Sequence, residues 1–190
     1  MSLGASVMTH VLAEMDFDGA VLMNTPMIFP NVIEQFRIAF WGYLNWAMGT
    51  ELKKTILPHK DNQKMIQAFK KSHNIDLLKV IADQHRHGDM ISFQKDLIAK
   101  NFGYESDNDY YDKTSCHKVI KDIKSPTLFM HAQDDPLIPD NCIDFEAIAT
   151  NPNTILGVTK MGGHTSYHES LFDTTRQWFI PVAIDFLEAC

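Results

Sequence analysis

Three residue types that together perform nucleophilic catalysis occur at informative places in this sequence: a serine near the start, an acid pair at 134–135 and a histidine at 164. A histidine can take the proton of a serine hydroxyl, and a carboxylate can fix the imidazole tautomer and stabilise the imidazolium. Asp134 and Asp135 follow one short apolar run, and His164 follows the next run after two glycines. Because the carboxyl ends of parallel strands lie at one edge of a sheet, we expect the acid and the histidine to meet there.

The segment Met1-Ser2-Leu3-Gly4-Ala5 supplies a candidate nucleophile. It matches the end of a Gly-x-Ser-x-Gly elbow, in which the serine occupies a strained turn between a strand and a helix and small neighbours allow that backbone. Apolar residues then recur at helical spacing up to position 15, as the elbow requires. Met-Ser-Leu is also a common remnant of cloning, so an expression tag is the alternative interpretation of Ser2.

The elements that must position these residues are predicted by short apolar runs bounded by turn residues. Strands are predicted at 20–24, 127–132 and 154–159, and amphipathic helices at 2–14 and 177–189. The alternation predicts an α/β fold with a parallel sheet at about 1–30 and 116–190. Residues 31–115 have helical patterns, at 36–47, 63–69 and 77–84, and a predicted loop at 107–109; they form a helical, cap-like insertion. Three strands are few for a parallel sheet, so part of a larger sheet is expected to be missing.

Composition and charge exclude several classes of protein. A chain of 190 residues with 45% hydrophobic residues is long enough to bury a core. A net charge of −7 argues against nucleic-acid binding, which depends on basic patches. The three cysteines are an odd number and their spacings do not match those of zinc ligands, so the sequence predicts neither a disulfide framework nor a zinc site. The sequence has no apolar run typical of a signal peptide or a membrane span, which favours an intracellular location, either cytoplasmic or peripheral to a membrane.

Several segments together resemble the C-terminal half of an α/β-hydrolase, in the YheT-like branch that includes abhydrolase-domain lipases and esterases. Residues 2–7 (SLGASV) resemble the nucleophile elbow, and residues 103–115, which contain DYYDKTS, resemble the segment that precedes the acid strand. Residues 126–139 and 162–164 resemble the acid and histidine loops. The order serine, acid, histidine is also that of this superfamily.

The resemblance implies roles for individual residues. Ser2 would be the nucleophile, His164 the general base and Asp135, rather than Asp134, the orienting acid, because the family's acid directly precedes the proline-containing run. The backbone N–H of Leu3 would be one oxyanion donor. The implied reaction is hydrolysis of a carboxylic ester, with a lipid or acylglycerol ester as substrate and with no metal or organic cofactor.

Other residues have weaker assignments. Trp41 and Met161 are candidate substrate-binding residues, and the aromatic segment around Trp41 could also touch a membrane surface. His168 is the runner-up to His164 as the base. His131 is predicted to be a packed core histidine, and Cys116 and Cys142 to be structural.

A second hypothesis belongs to a different class: a truncated or split hydrolase that lacks catalysis of its own. The predicted strand at 20–24 would have an open edge where the strand before the elbow normally pairs, and unpaired backbone groups are costly. A nucleophile at residue 2 would also need its surroundings to hold it, because chain termini fray.

Overall fold

The computed structural model describes residues 1–56, 60–74, 76, 89–99, 102–170 and 175–190. It divides the chain into two compact units. The first unit contains Met1–Gln35 and Thr114–Cys190, and the second contains Phe36–Lys113. The helix predicted at 77–84 lies outside the described residues.

The first unit is built on a parallel sheet with the strand order β1-β2-β3. The strands are β1 (Ala20–Met23), β2 (Thr127–Ala132) and β3 (Thr154–Thr159). Ala20 pairs with Thr127, and Thr127 pairs with Thr154. The α/β fold with a parallel sheet is therefore confirmed, and the predicted limits of the second and third strands coincide with the observed ones.

The described α-helices follow one another along the chain as α1 (Leu3–Glu14), α2 (Phe29–Ile38), α3 (Tyr43–Ile56), α4 (Lys60–His73), α5 (Met90–Phe93), α6 (Asp107–Thr114), α7 (Phe145–Thr150) and α8 (Phe179–Glu188). Helix α5 continues as a π-helix over Gln94–Ala99. Short 3₁₀ turns lie at Cys116–Asp122 and Asp140–Cys142.

The centre of the first unit is β2, whose six residues are all buried. This burial explains its nearly continuous apolar sequence, because a parallel strand covered on both faces needs apolar side chains on both. On one face Leu128, Met130 and Ala132 pack with Met23 and Tyr167. Trp178 and residues of α8, Phe179 and Phe186, pack against this cluster.

Helix α1 presents one stripe to the protein interior, formed by Ala5, Ser6, Thr9 and Leu12. This i, i+1, i+4, i+7 spacing places the four residues on one face of the helix. The two hydroxyls on that face are satisfied, since Ser6 Oγ donates to the carbonyl of Pro26 at 2.7 Å and Thr9 Oγ1 donates to that of Ala5 at 2.9 Å. The helix contacts the 3₁₀ turn at Cys116–Asp122.

The described part of the second unit is helical. One prediction made from its sequence is wrong. Residues 107–109 are not a loop but the first turn of α6. The backbone N–H of Asp109 donates to Ser106 Oγ at 3.1 Å, which caps the helix. Acidic residues also favour a helix N-terminus because they complement its dipole. The prediction failed because the same residue types favour loops and helix starts.

The turn Ala39–Gly42 joins α2 to α3 through three consecutive residues with positive φ. Phe40 has φ 49°, Trp41 has φ 55° and Gly42 has φ 79°. Bulky residues rarely adopt this left-handed conformation. The turn leaves the side chain of Trp41 fully exposed.

Candidate active site

Ser2 lies directly before α1 in a conformation that only glycine adopts easily. Its φ is 52° and its ψ is −136°, and its backbone N–H donates to the carbonyl of Met23 at 2.9 Å. The last residue of β1 therefore holds the turn that carries the serine. Backbone strain of this kind persists only where the surroundings enforce it, and it occurs often at active sites.

The structure brings Ser2, His164 and Asp135 together in a continuous chain of hydrogen-bond distances. Nε2 of His164 lies 2.9 Å from Oγ of Ser2. Nδ1 of His164 lies 2.9 Å from Oδ2 and 3.1 Å from Oδ1 of Asp135. Because an ionised carboxylate only accepts, Nδ1 must carry the proton and Nε2 is left bare toward the serine. This is the tautomer that a general base needs.

Asp135 is buried, yet its carboxylate is surrounded by donors. Oδ1 accepts the backbone N–H groups of Leu137 at 2.8 Å and Ile138 at 3.0 Å, besides the contact with His164. Burial opposes ionisation, but the hydrogen bonds from His164 and from these two backbone groups outweigh it and hold the pKa of the Asp135 carboxyl below its usual value. The residue is therefore a carboxylate at neutral pH.

The neighbouring acid has a different partner. Oδ1 of Asp134 accepts the backbone N–H of Gly163 at 2.9 Å, and its side chain is exposed. The two acids at the end of β2 thus both contact the loop that follows β3, but only Asp135 contacts the imidazole of His164.

Sequence reasoning missed two residues of this cluster, Asn24 and Tyr167. Asn24 immediately follows β1, is fully buried, and donates through Nδ2 to Oδ2 of Asp135 at 2.6 Å. The hydroxyl of Tyr167 donates to Oδ1 of Asn24 at 2.8 Å. In open parallel sheets, functional residues lie at the carboxyl ends of the strands. Applied to β1 as well as to the other two strands, this rule would have identified Asn24.

The backbone N–H of Leu3 is the first of α1. The first N–H groups of a helix have no partner within the helix, so they point toward the N-terminus as donors. Leu3 follows Ser2 directly, and its amide lies at the positive end of a 12-residue helix. This position suits stabilisation of a negative oxygen next to the serine.

The two predicted substrate-binding residues lie in different units. Met161 is exposed and lines an open cavity of about 420 Å³ in the first unit, next to Gly162, Gly163, Tyr167 and Trp178. Trp41 belongs to the second unit, where it is fully exposed. His168, the runner-up base, also lines the cavity, whereas the structure places His164 against the serine.

The remaining candidates have structural surroundings. His131 is buried in β2 with Nε2 3.1 Å from Oδ1 of Asp140. Burial raises the pKa of the Cys116 thiol to about 11 and that of Cys142 to about 12, so neither is a nucleophile at neutral pH. Within the described ranges, no three His, Cys, Asp or Glu side chains are grouped to hold a metal ion. None of the helices described there is long and apolar enough to cross a bilayer.

These features define a class of protein: a parallel α/β fold with a strained serine before a helix and an acid–histidine pair at neighbouring strand ends. No family model matches the chain. Over 98% of its length it is 26% identical to an abhydrolase domain-containing protein of Dictyostelium discoideum and 27% identical to a monoacylglycerol lipase of Saccharomyces cerevisiae. Over 77% of its length it is 28% identical to the phospholipase ABHD3 of Mus musculus, of which it covers 34%.

The parallel α/β fold and the similarity to these relatives support the α/β-hydrolase superfamily. The chain spans 45% of the Dictyostelium relative and 41% of the yeast relative, about two fifths of their lengths.

Proposed function

We propose that this chain carries the catalytic triad of a serine hydrolase that cleaves carboxylic esters of lipids. The observation that carries the proposal is the uninterrupted contact from Ser2 Oγ through both ring nitrogens of His164 to Asp135, at 2.9 Å on each side of the ring. The strained conformation of Ser2 and the N-terminus of α1 support the same interpretation.

The mechanism follows from which atoms carry protons. Nε2 of His164 takes the hydroxyl proton of Ser2 as Oγ attacks the acyl carbonyl and forms a tetrahedral intermediate. His164 then gives this proton to the departing alcohol, and an acyl-enzyme remains. Water attacks the acyl-enzyme while His164 takes one of its protons, and that proton returns to Ser2 Oγ as the carboxylic acid leaves.

Two groups stabilise the charges that develop during these steps. Asp135 remains ionised and stabilises the imidazolium of His164, because its donors hold its pKa low. The backbone N–H of Leu3 stabilises the carbonyl oxygen as it becomes negative, which is the largest single contribution in many acyl-transfer enzymes.

A lipid ester is the substrate that the relatives favour. Two of them are named a monoacylglycerol lipase and a phospholipase, and both names denote enzymes that act on lipid esters. We propose Met161 as a residue that contacts the substrate, since it is exposed and lines the cavity formed by the histidine loop.

We also propose that the exposed aromatic turn of the second unit contacts a phospholipid surface. Trp41 is fully exposed, and Phe40, Tyr43 and Trp46 are more than half exposed. Trp and Tyr prefer the interface between lipid and water. The sequence of residues 36–56 contains three basic residues and one acidic residue, Glu51, so this segment is positively charged although the whole chain has a net charge of −7. This local balance suits an anionic lipid surface.

A fluorophosphonate probe tests the triad directly, because it reacts with an activated serine and forms a stable adduct. We expect the 190-residue chain to be labelled, the Ser2→Ala variant to be unlabelled, and the Ser72→Ala variant to be labelled like the wild type. Ser72 is a matched control because it lies exposed on α4, where its hydroxyl donates to the carbonyl of Ala68. Labelling that survives Ser2→Ala would refute Ser2 as the nucleophile.

The alternative is a hydrolase segment that holds the triad but needs further strands to act. It is favoured by the described sheet, which has only three strands with β1 at one edge, and by the two-fifths coverage of the relatives. A folded chain that stays unlabelled alone but is labelled in the presence of the complementary part of a relative would support it. Labelling of the isolated chain at a rate typical of serine hydrolases would exclude it.

A further inference from the structure

We infer that Tyr167 and Asn24 are positioning residues for the triad: the Tyr167 hydroxyl fixes the Asn24 amide so that its N–H, not its oxygen, faces Asp135. The inference rests on the proposed function and extends it, because it assigns the orientation of Asp135, and through it that of His164, to a buried pair outside the triad.

The orientation of the Asn24 amide is set by its two hydrogen-bond partners. Nδ2 of Asn24 donates to Oδ2 of Asp135 at 2.6 Å, while Oδ1 of Asn24 accepts from the Tyr167 hydroxyl at 2.8 Å. A flipped amide would place Oδ1 against the carboxylate, and two oxygens that only accept repel each other at that distance. The Tyr167 hydroxyl, as a donor to Oδ1, selects the orientation that suits the carboxylate.

Asn24 contacts the segments that follow all three strands. It directly follows β1, its Nδ2 donates to Asp135 in the loop after β2, and the same atom lies 3.2 Å from the carbonyl of Gly163 in the loop after β3. Its own backbone is held by the bond from its N–H to the carbonyl of Met130 at 2.8 Å. Its φ is 46°, a left-handed value that asparagine tolerates better than most residues.

Tyr167 is itself firmly placed. Its backbone N–H donates to the carbonyl of Gly162 at 2.9 Å, and its ring meets the rings of Trp178 and Phe179 edge-on, with centroids 5.3 and 5.8 Å away. A β-carbon on Gly162 would lie 2.6 Å from the Tyr167 ring, so only glycine allows this approach. Burial raises the pKa of Tyr167 to about 12, and its hydroxyl therefore stays a proton donor over any neutral assay range.

A purely structural role for this pair predicts a different outcome from a positioning role. A structural pair would lower stability when broken but leave the imidazole of a folded variant unchanged. A positioning pair would change the proton location on His164, because Asp135 would no longer hold Nδ1–H as the single favoured tautomer.

The test is the long-range ¹H–¹⁵N spectrum of histidine-labelled chain, which reports the ring nitrogen that carries the proton. We expect the proton of His164 on Nδ1 in the wild type and a mixture of both tautomers in Tyr167→Phe, which keeps the ring. Asn24→Gly removes the amide while still allowing the positive φ, and we expect the same mixture. Tyr104→Phe, which removes a hydroxyl from the second unit, is the matched control and should match the wild type.

Labelling kinetics supply the second readout. We expect the maximal rate of fluorophosphonate labelling to fall about ten- to a hundredfold in Tyr167→Phe, with the half-saturating probe concentration nearly unchanged, because misplacement by a fraction of an ångström affects the reacting geometry more than binding. A folded Tyr167→Phe variant with a wild-type His164 spectrum would overturn the inference. Loss of the fold in that variant would assign the hydroxyl a structural role and overturn it as well.

The two readouts separate this inference from the hydrolase proposal. A single Nδ1–H tautomer in the wild type that becomes a mixture in Tyr167→Phe, in a chain that is labelled neither alone nor with the complementary part of a relative, would support the positioning pair and refute the hydrolase. Labelling that requires Ser2 but is unchanged in Tyr167→Phe and Asn24→Gly would support the hydrolase and refute the positioning pair.

Discussion

The backbone N–H of Ser2 donates to the carbonyl of Met23 at 2.9 Å, so the residue at the start of α1 is tied to the end of β1. The side chain of the next residue, Asn24, is in turn bonded to Asp135. The end of β1 therefore supports the proposed nucleophile and the proposed acid through two adjacent residues. Disruption of this short segment would affect both.

Replacing Asp135 with asparagine should sharply reduce the reactivity of Ser2. The amide oxygen of the new side chain could still accept from Leu137 and Ile138, which would turn its NH₂ group toward Nδ1 of His164. His164 would then have to carry its proton on Nε2, where it cannot act as a base. We expect the labelling rate to fall by about 10³- to 10⁴-fold.

Asp134→Asn is the matched control for Asp135→Asn. The Asp134 side chain contacts the backbone of Gly163 through a single oxygen, and an amide oxygen can accept the same bond. We expect nearly wild-type labelling. A loss as large as that of Asp135→Asn would argue that Asp134 is the orienting acid.

Stability should depend on pH through Asp135. Its folded-state pKa is lowered, so the folded state holds the carboxylate more favourably than the unfolded chain does. The stabilisation is fully present above the ordinary value of 3.8 and is lost as the pH falls through the lower folded-state value. Urea unfolding of the wild type and Asp135→Asn should therefore differ most near neutrality and converge in acid. A difference that does not change with pH would contradict this.

A methyl group at position 162 should destabilise the histidine loop. A β-carbon there would lie 2.6 and 2.8 Å from two atoms of the Tyr167 ring and 2.9 Å from the β-carbon of Ala132. We expect Gly162→Ala to lower the free energy of unfolding by about 1–3 kcal/mol, as overpacking does. Gly4→Ala is the control, because a β-carbon at Gly4 meets no atom within 4 Å. Equal stability of the two variants would show that the loop has room.

The three cysteines should differ sharply in reactivity. Cys190 is exposed, whereas Cys116 and Cys142 are buried with pKa values raised to about 11 and about 12. We expect a thiol-specific reagent to modify one cysteine per folded chain at about pH 7.5, and none in Cys190→Ser. Urea should expose the other two. Rapid modification of Cys142 in the folded chain would mean that the acid loop opens readily.

Binding to lipid vesicles tests the aromatic turn. We expect the chain to bind vesicles of phosphatidylcholine and phosphatidylserine, and Trp41→Ala to weaken this binding about tenfold by removing a fully exposed indole. Phe145→Ala, which removes an exposed aromatic side chain from the first unit, is the control. Equal binding of both variants would exclude the turn as the lipid contact.

Much of the fold was predictable because it depends on local patterns. The limits of β2 and β3 followed from short apolar runs bounded by polar or turn residues. Burial on both faces makes the run in β2 nearly continuous. The meeting of the acid pair with His164 followed from parallel strand order, and the choice of Asp135 over Asp134 followed from the family resemblance. The left-handed turn at Phe40 and Trp41 could not be predicted, because those residue types disfavour positive φ and only the surrounding structure imposes it.

The supporting residues Asn24 and Tyr167 were harder to predict than the residues of the proposed triad. Ser2, Asp135 and His164 have types that suggest chemistry, whereas Asn24 and Tyr167 are common in cores and turns. They meet across a sequence separation of 143 residues. Tyr167 is placed for this contact by its packing on Gly162 and on the rings of Trp178 and Phe179, which the local sequence does not reveal.

The long separation between Ser2 and His164, 162 residues, has a consequence for biosynthesis. Ser2 is translated well before His164, its proposed base, so the growing chain carries the serine without that base while the residues between them are translated. Chains released before residue 164 would lack the proposed base entirely. Reactivity toward a serine probe would therefore count only chains that had been translated through the histidine loop and folded around it.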